Sequence, residues 1–253
     1  MTVKELYEKM DEMIPTSLSC EWDNDGLMCS ADTSREVKKV LCVLDVTMGA
    51  VNYAKDYGFD LIISHHPLIF NRLSHISDDD YTAKKVISLI KSGISVFSFH
   101  TRADMFFDGV NERLANILGL SEAEPFGPQN ERMGRIGYVP PTSLEDFVKS
   151  VKKKLSSPLV LFSGNRGVNK VAVLGGDGKD FVKSAIEAGA DTYLSGRISY
   201  NITLMAEEMG INLIEAGHYH TEKHIAVFYM ECVKRFLPNA YCEVFESNTI
   251  RTQ

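Results

Sequence analysis

Three short runs of this chain carry side chains that bind divalent cations. They are His65-His66, His100-Thr101-Arg102-Ala103-Asp104, and His218-Tyr219-His220-Thr221-Glu222. Each follows a stretch that reads as a strand. Leu61-Ile62-Ile63-Ser64 leads into His65-His66, and Pro67 then ends any central strand, because it has no N–H to give to the ladder. In an α/β fold, ligands bind beyond the carboxyl ends of the strands, so each run delivers its side chains to the place where chemistry is done. His218 precedes Glu222 by four residues, so the two can lean toward one point. Glu222 reads as part of the first turn of a long helix, Thr221 to Phe236, where the helix dipole favours a carboxylate.

Imidazole and carboxylate ligands without cysteine suit Zn, Fe, Mn or Ni rather than a thiolate site. Five or six ligands exceed what one tetrahedral zinc takes. They suit two ions about 3.5–4 Å apart that share a bridging carboxylate. A lone pair of histidines is more often an ordinary loop feature. The weight here comes from three groups at three strand ends.

The elements that must position these groups alternate between strand and helix. Val3 to Met13 reads as a helix, and Lys39 to Asp45 as an apolar strand. Thr47 caps a helix through Tyr57, and Asp60 to Ser64 is the next strand. Tyr81 to Ser92 is a helix closed by Gly93, Ile94 to Phe99 a strand ending at His100, and Asp108 to Leu118 a helix stopped by Gly119. The second half repeats the pattern. Lys170 corresponds to Lys39 and Gly189 to Gly58, both at an offset of 131. Such a repeat implies duplicated units, and the alternation implies βαβ units with parallel strands. The expected fold class is α/β, with two similar βαβ lobes of mainly parallel sheet flanked by helices and the metal site in the cleft between them. Pro125, Gly127 and Pro128 mark Glu122 to Arg132 as a linker. The first lobe is read as 1–125 plus 219–253 and the second as 126–218.

The composition narrows the function. A chain of 253 residues with 44% hydrophobic and 24% charged residues is that of an ordinary globular protein. A net charge of −7 argues against a nucleic-acid surface, which needs clustered Lys and Arg. No apolar run reaches the length of a membrane span, and the amphipathic N-terminus lacks a signal-peptide core. The five cysteines include no CxxC pair, which points to buried thiols in a reducing, cytoplasmic compartment.

The chain resembles the Nif-three-like family, often labelled GTP cyclohydrolase I type 2 homologues. The resemblance rests on Trp22-Asp23-Asn24-x-Gly26-Leu27, Ile62-Ile63-Ser64-His65-His66-Pro67, His100-Thr101-x-x-Asp104, Gly109-Val110-Asn111 and Ala216-Gly217-His218-Tyr219-x-Thr221-Glu222. It implies a dinuclear metal site held by His65, His66, Asp104, His218 and Glu222, and a two-lobed subunit assembling into a ring-like homohexamer. The chain departs from the family at Arg102-Ala103, where an Asn-Leu pair is usual. It also departs at Phe106-Phe107, where small residues are usual, and at Arg197 and Asn201.

The chemistry expected is that of a metal-dependent hydrolase acting on a small molecule such as a nucleotide or phosphoester, with Glu222 as the candidate base. His100 either ligates or orients Asp104. Arg102, Arg72, Arg197 or Lys223 could hold a phosphate. The competing reading is a non-catalytic metal carrier or scaffold. His75, His220 and His224 are expected on solvated surfaces, Asp45 as a strand-end cap, and Gly175-Gly176-Asp177-Gly178 as a tight turn after a strand.

Overall fold

Leu61-Ile62-Ile63-Ser64 is buried at every position, as a strand covered on both faces must be. It is the middle strand of a five-stranded sheet. The protein was analysed as a computed structural model that describes residues 1–129 and 131–251. The chain divides into two units. Met1–Ala103 with Ile225–Thr249 forms the first, and Asp104–His224 with Ile250 and Arg251 forms the second.

In chain order the first unit holds α1 (Val3–Met13), β1 (Gly26–Cys29), β2 (Lys39–Val43), α2 (Met48–Asp56), β3 (Leu61–Ser64), α3 (Tyr81–Ser92) and β4 (Ser95–Ser98). The helix α4 (Thr101–Met105) carries the chain into the second unit. That unit holds α5 (Val110–Leu118), β5 (Ser121–Phe126), β6 (Gly134–Thr142), α6 (Leu144–Leu155), β7 (Leu161–Ser163), β8 (Val168–Asp177), α7 (Val182–Glu187), β9 (Thr192–Arg197), α8 (Tyr200–Met209), β10 (Asn212–Glu215) and α9 (His218–Glu222). The chain then returns to the first unit with α10 (Ile225–Phe236) and β11 (Tyr241–Phe245).

Local chemistry sets the helix ends. Thr2 and Glu5 form a reciprocal capping box at α1. Asp80 accepts from the N–H groups of Thr82 and Ala83 at α3, which stops at Gly93 in the left-handed conformation.

The first sheet has the order β1-β4-β3-β2-β11 and the second the order β5-β6-β8-β9-β10-β7. In the first, β11, β2, β3 and β4 run parallel and β1 is antiparallel to β4. In the second, β8, β9 and β10 run parallel, and antiparallel strands complete the sheet on both sides. The internal repeat is present in the pairing itself. Val40 lies opposite Leu61, and Val171 opposite Thr192, the same register 131 residues later. Each unit has its own core. Leu41, Val51, Ile62, Leu89 and Val96 belong to the first, and Leu114, Phe147, Val151, Val171 and Leu194 to the second.

Three expectations are corrected. The stretch read as a linker begins with β5, which pairs with β6 inside the second unit; residue 130 of that stretch lies outside the described residues. The chain crosses between units at Ala103/Asp104, His224/Ile225 and Thr249/Ile250, not at 125/126 and 218/219. The long helix from Thr221 is two helices. Glu222 is the last residue of α9 rather than an early residue of α10, so no N-terminal dipole favours its carboxylate.

Candidate metal centre

The first unit gathers three imidazoles. The strand β3 ends at Ser64, which places His65 and His66 at its mouth, and β4 delivers His100 two residues past its end. One ring nitrogen of each of His65, His66 and His100 lies within 4.8 Å of the other two. Their orientation is fixed from behind. His65 Nδ1 faces the carbonyl oxygen of Phe99 at 3.1 Å, with the Tyr229 hydroxyl at 3.4 Å. That hydroxyl also donates to Phe99 O, at 2.6 Å. His66 Nδ1 faces Asp45 Oδ1 at 2.7 Å, and His100 Nδ1 faces Asp23 Oδ1 at 2.9 Å. Carbonyl and carboxylate oxygens only accept, so Nδ1 carries the hydrogen in each ring, and in a neutral imidazole the lone pair is then on Nε2. This is the arrangement that orients a metal-binding histidine.

Asp23 does more than hold His100. Its Oδ2 accepts from Thr101 N at 3.0 Å and from Thr101 Oγ1 at 2.6 Å. Burial alone would raise its pKa. The hydrogen bonds from His100 and Thr101 outweigh that and hold it well below the usual carboxylate range. It is therefore ionised at neutral pH.

Arg102 is not a phosphate ligand, contrary to one expectation. It is fully buried. Nε and Nη2 donate to the two oxygens of Asp25 at 2.9 and 2.7 Å, and Nη1 donates to Asp11 Oδ1 at 2.6 Å and Ile14 O at 3.0 Å. This paired fork ties α1, the loop of Asp23 and Asp25, and the His100 segment together. Burial works against its charge, and the two carboxylates more than restore it.

The second unit gathers carboxylates and one imidazole. Asp104 and Glu222 are buried and bring carboxylate oxygens within 4.8 Å of each other. His218 Nε2 lies 3.0 Å from Glu222 Oε2. Like charges that close are stabilised by a cation. The bed beneath them is glycine. Gly176 has φ +67°, and a Cβ there would strike Glu222 Oε1; a Cβ at Gly196 would come within 2.7 Å of His218 Cα. The Gly175–Asp177 stretch, expected as a turn, is the end of β8. Its glycines admit α9, which carries His218 and Glu222. Gly176 N donates to Thr221 Oγ1 at 3.1 Å, Asn111 Nδ2 donates to Asp104 O at 3.3 Å, and Asn111 Oδ1 accepts from Gly175 N at 2.7 Å.

The donor sets fit a divalent metal: imidazoles with Nδ1 already spoken for in one unit, and a close carboxylate pair with an imidazole in the other. Sequence reasoning missed Asp23, Asp45 and Tyr229. A signal existed for Asp45, which follows β2 at the sheet end that also carries His65 and His66, where a ligating histidine needs an acceptor. Two surface assignments also divide. His75 is exposed, as expected. His224 is packed, with Nε2 2.8 Å from Val110 O and its pKa lowered chiefly by burial.

Two α/β units, with imidazoles at the strand ends of one and clustered carboxylates in the other, define a candidate metal-binding α/β protein. A family model for Duf34/NIF3 (NGG1p interacting factor 3) matches residues 1–253, and the chain belongs to that family. It is 31% identical over 245 residues to a Clostridium perfringens protein named "GTP cyclohydrolase 1 type 2 homolog", covering 94% of this chain and 93% of that one. It is 32% identical over 241 residues to a protein of the same name from Methanocaldococcus jannaschii, covering 94% and 95%. Among solved structures, a hypothetical protein of Staphylococcus aureus matches with a TM-score of 0.88 at 28% identity, covering 100% of this chain and 99% of that one. Reduced HcgD from Methanocaldococcus jannaschii matches with a TM-score of 0.83 at 28% identity, covering 96% and 97%. No helix among the described residues is long and apolar enough to cross a membrane.

Proposed function

We propose that this chain is a metal-dependent hydrolase acting on a nucleotide or phosphoester. Two divalent ions (Zn, Fe, Mn or Ni) are assigned to His65, His66, Asp104, His218 and Glu222. The observation that carries the reading is the common orientation of His65 and His66. Each turns its Nδ1 to an oxygen behind it, the arrangement that orients a metal-binding histidine. The names of the relatives, GTP cyclohydrolase 1 type 2 homolog, support a nucleotide substrate.

A divalent ion would supply Lewis acidity to water and to a carbonyl or phosphoryl oxygen. The chain's own residues do the rest. Asp45 and Asp23 hold His66 and His100 in register. Glu222 is the candidate base, with Oε1 the oxygen next to the Gly176 backbone and Oε2 facing His218. His100 is a positioning residue beside His65 and His66. The assembly proposed is a cytoplasmic homohexamer, to be read from the mass in solution by light scattering.

The test is turnover of GTP and a phosphoester panel by metal-loaded protein. His66→Ala and Glu222→Ala are expected to abolish it. Turnover that survives both substitutions ends the reading. Metal retained without turnover of any substrate in the panel makes the chain a carrier or scaffold.

A further inference from the structure

We propose that the first unit carries a mononucleotide subsite, in which Trp22 and Phe70 take the planar base and Arg72 and Lys85 take the phosphate. The inference rests on the hydrolase reading for its place in the chemistry, but its own support is separate.

The first observation is an aromatic pair. Trp22 and Phe70 are 55% and 50% exposed, although they come from loops 48 residues apart in sequence. Their ring centroids are 6.3 Å apart, and each ring meets His100 edge-on, at 6.1 and 6.2 Å. Asn24, two residues after Trp22, donates from Nδ2 to the carbonyl of Ile69, which joins the two loops. Single exposed aromatics are commonplace. Two that are held together beside a histidine cluster form a platform on which a planar base can stack.

The second observation is a cavity of about 400 Å³ that Phe70 also lines, together with Arg72, His75, Asp80, Tyr81 and Lys85. Its volume falls in the range of small-molecule sites. Lys85 is only 6% exposed. Among the described residues its ammonium has one hydrogen-bond acceptor, Val46 O at 3.1 Å, and lies 4.2 Å from the Tyr81 ring centroid. An ammonium has three hydrogens to place, and buried ones are ordinarily paired. Burial lowers the Lys85 pKa, and the fields of Asp45 and Asp80 oppose that.

Arg72 makes no hydrogen bond or ion pair among the described residues. The lining has one carboxylate, Asp80, whose Oδ1 accepts from Thr82 N and Ala83 N at 2.9 and 2.7 Å. Arg72 and Lys85 outnumber it, so the cavity wall carries an excess of positive charge, and guanidinium with ammonium is the chemistry that holds phosphate. Phe70 borders both the platform and the cavity. One ligand with a flat ring at one end and a phosphate at the other spans them, with the ring beside His100. A net charge of −7 favours a mononucleotide over a polynucleotide.

Trp22 is the only tryptophan of the chain, so intrinsic fluorescence reads this subsite alone. The experiment titrates GMP, guanosine, ribose 5-phosphate and inorganic phosphate into the full chain after chelator treatment, where no turnover occurs. GMP should quench Trp22 saturably, and guanosine and ribose 5-phosphate should bind at least about tenfold more weakly. Arg72→Ala and Lys85→Met should weaken GMP by about tenfold or more and leave guanosine unchanged. Phe70→Ala should weaken both. The proposal is overturned if GMP gives no saturable change, if inorganic phosphate binds as well as GMP, or if Arg72→Ala leaves GMP binding intact. If Lys85→Met does not fold, Arg72→Ala at its exposed position still decides. Because the readout needs neither metal nor turnover, it can fail while hydrolysis holds, and hydrolysis can fail while it holds.

Discussion

Asp60 and Asp191, 131 residues apart, perform the same task in their two units. Asp60 Oδ2 accepts from the N–H groups of Lys38 and Lys39 at 2.9 and 3.0 Å. Asp191 Oδ2 accepts from Asn169 and Lys170 at 2.9 and 2.7 Å. Lys39 Nζ in turn reaches Tyr57 O, and Lys170 Nζ reaches Ala188 O, again 131 residues later. The duplication therefore reaches individual hydrogen bonds at the start of the parallel strands. Removing either carboxylate strips acceptors from two backbone donors, at about 1–3 kcal/mol for each group left buried and unpaired. Asp60→Ala should speed amide exchange across β2 and β3 while β8 and β9 keep their protection. Asp191→Ala should do the reverse. Uniform loss of protection in both units would contradict the assignment of each carboxylate to its own sheet.

On the proposed reading, Asp45 acts on the metal through His66. With Asp45→Ala, His66 Nδ1 loses the acceptor at 2.7 Å, and the ring is free to turn or to change tautomer. Losing such a partner typically lowers metal affinity by 10–100-fold. Isothermal titration with Zn or Mn on chelator-treated protein should show a weakening of that order with the circular dichroism spectrum unchanged. An affinity equal to that of the parent protein would remove Asp45 from the centre.

Asp23 predicts a pH dependence with a definite sign. Its folded pKa is depressed, because the bonds from His100 and Thr101 outweigh burial. A depressed carboxylate contributes stability that is fully present above its unfolded value, about 3.9. That contribution is lost as pH falls below this value toward the folded pKa. The stability difference between the parent chain and Asp23→Asn should then be flat from about pH 5 to neutrality and shrink below about pH 4. Denaturant unfolding across a pH series measures it. A difference that grows as the solution is made more acid contradicts the sign.

Much of this was legible in the chain, and the parts that were not have physical reasons. The helices Val3–Met13 and Tyr81–Ser92 have the bounds that their caps and glycine stop announce. The metal-competent groups could be named because each follows an apolar strand, and ligands bind beyond the carboxyl ends of strands in an α/β fold. β5 was hidden because Pro125 and Gly127 read as punctuation, although an edge strand tolerates proline. The break between α9 and α10 was hidden because no proline or glycine stands at Lys223-His224. Arg102 looked available for phosphate because its partners, Asp11 and Asp25, are remote in sequence. Only the fold shows that its donors are already taken.

Gly176 gives the most direct test of how the second unit presents Glu222. With φ +67° it adopts a backbone conformation that side-chain-bearing residues avoid, and the space a Cβ needs is filled by the Glu222 carboxylate, with His218 Nε2 at 3.1 Å. Gly176→Ala therefore carries two separable effects. The left-handed conformation costs about 1–2 kcal/mol for a residue with a Cβ, which lowers stability whether or not metal is present. The clash moves Glu222 away from His218, which lowers metal affinity beyond anything the stability loss explains. Gly58 separates the two effects. It is also left-handed, at φ +67°, but a Cβ there meets nothing within 4 Å. Gly58→Ala should lose similar stability and keep its metal, whereas Gly176→Ala should lose both, read by thermal unfolding and by elemental analysis of the purified proteins. Equal metal content in the two variants would mean that the close approach of Gly176 to Glu222 has no part in binding the ion.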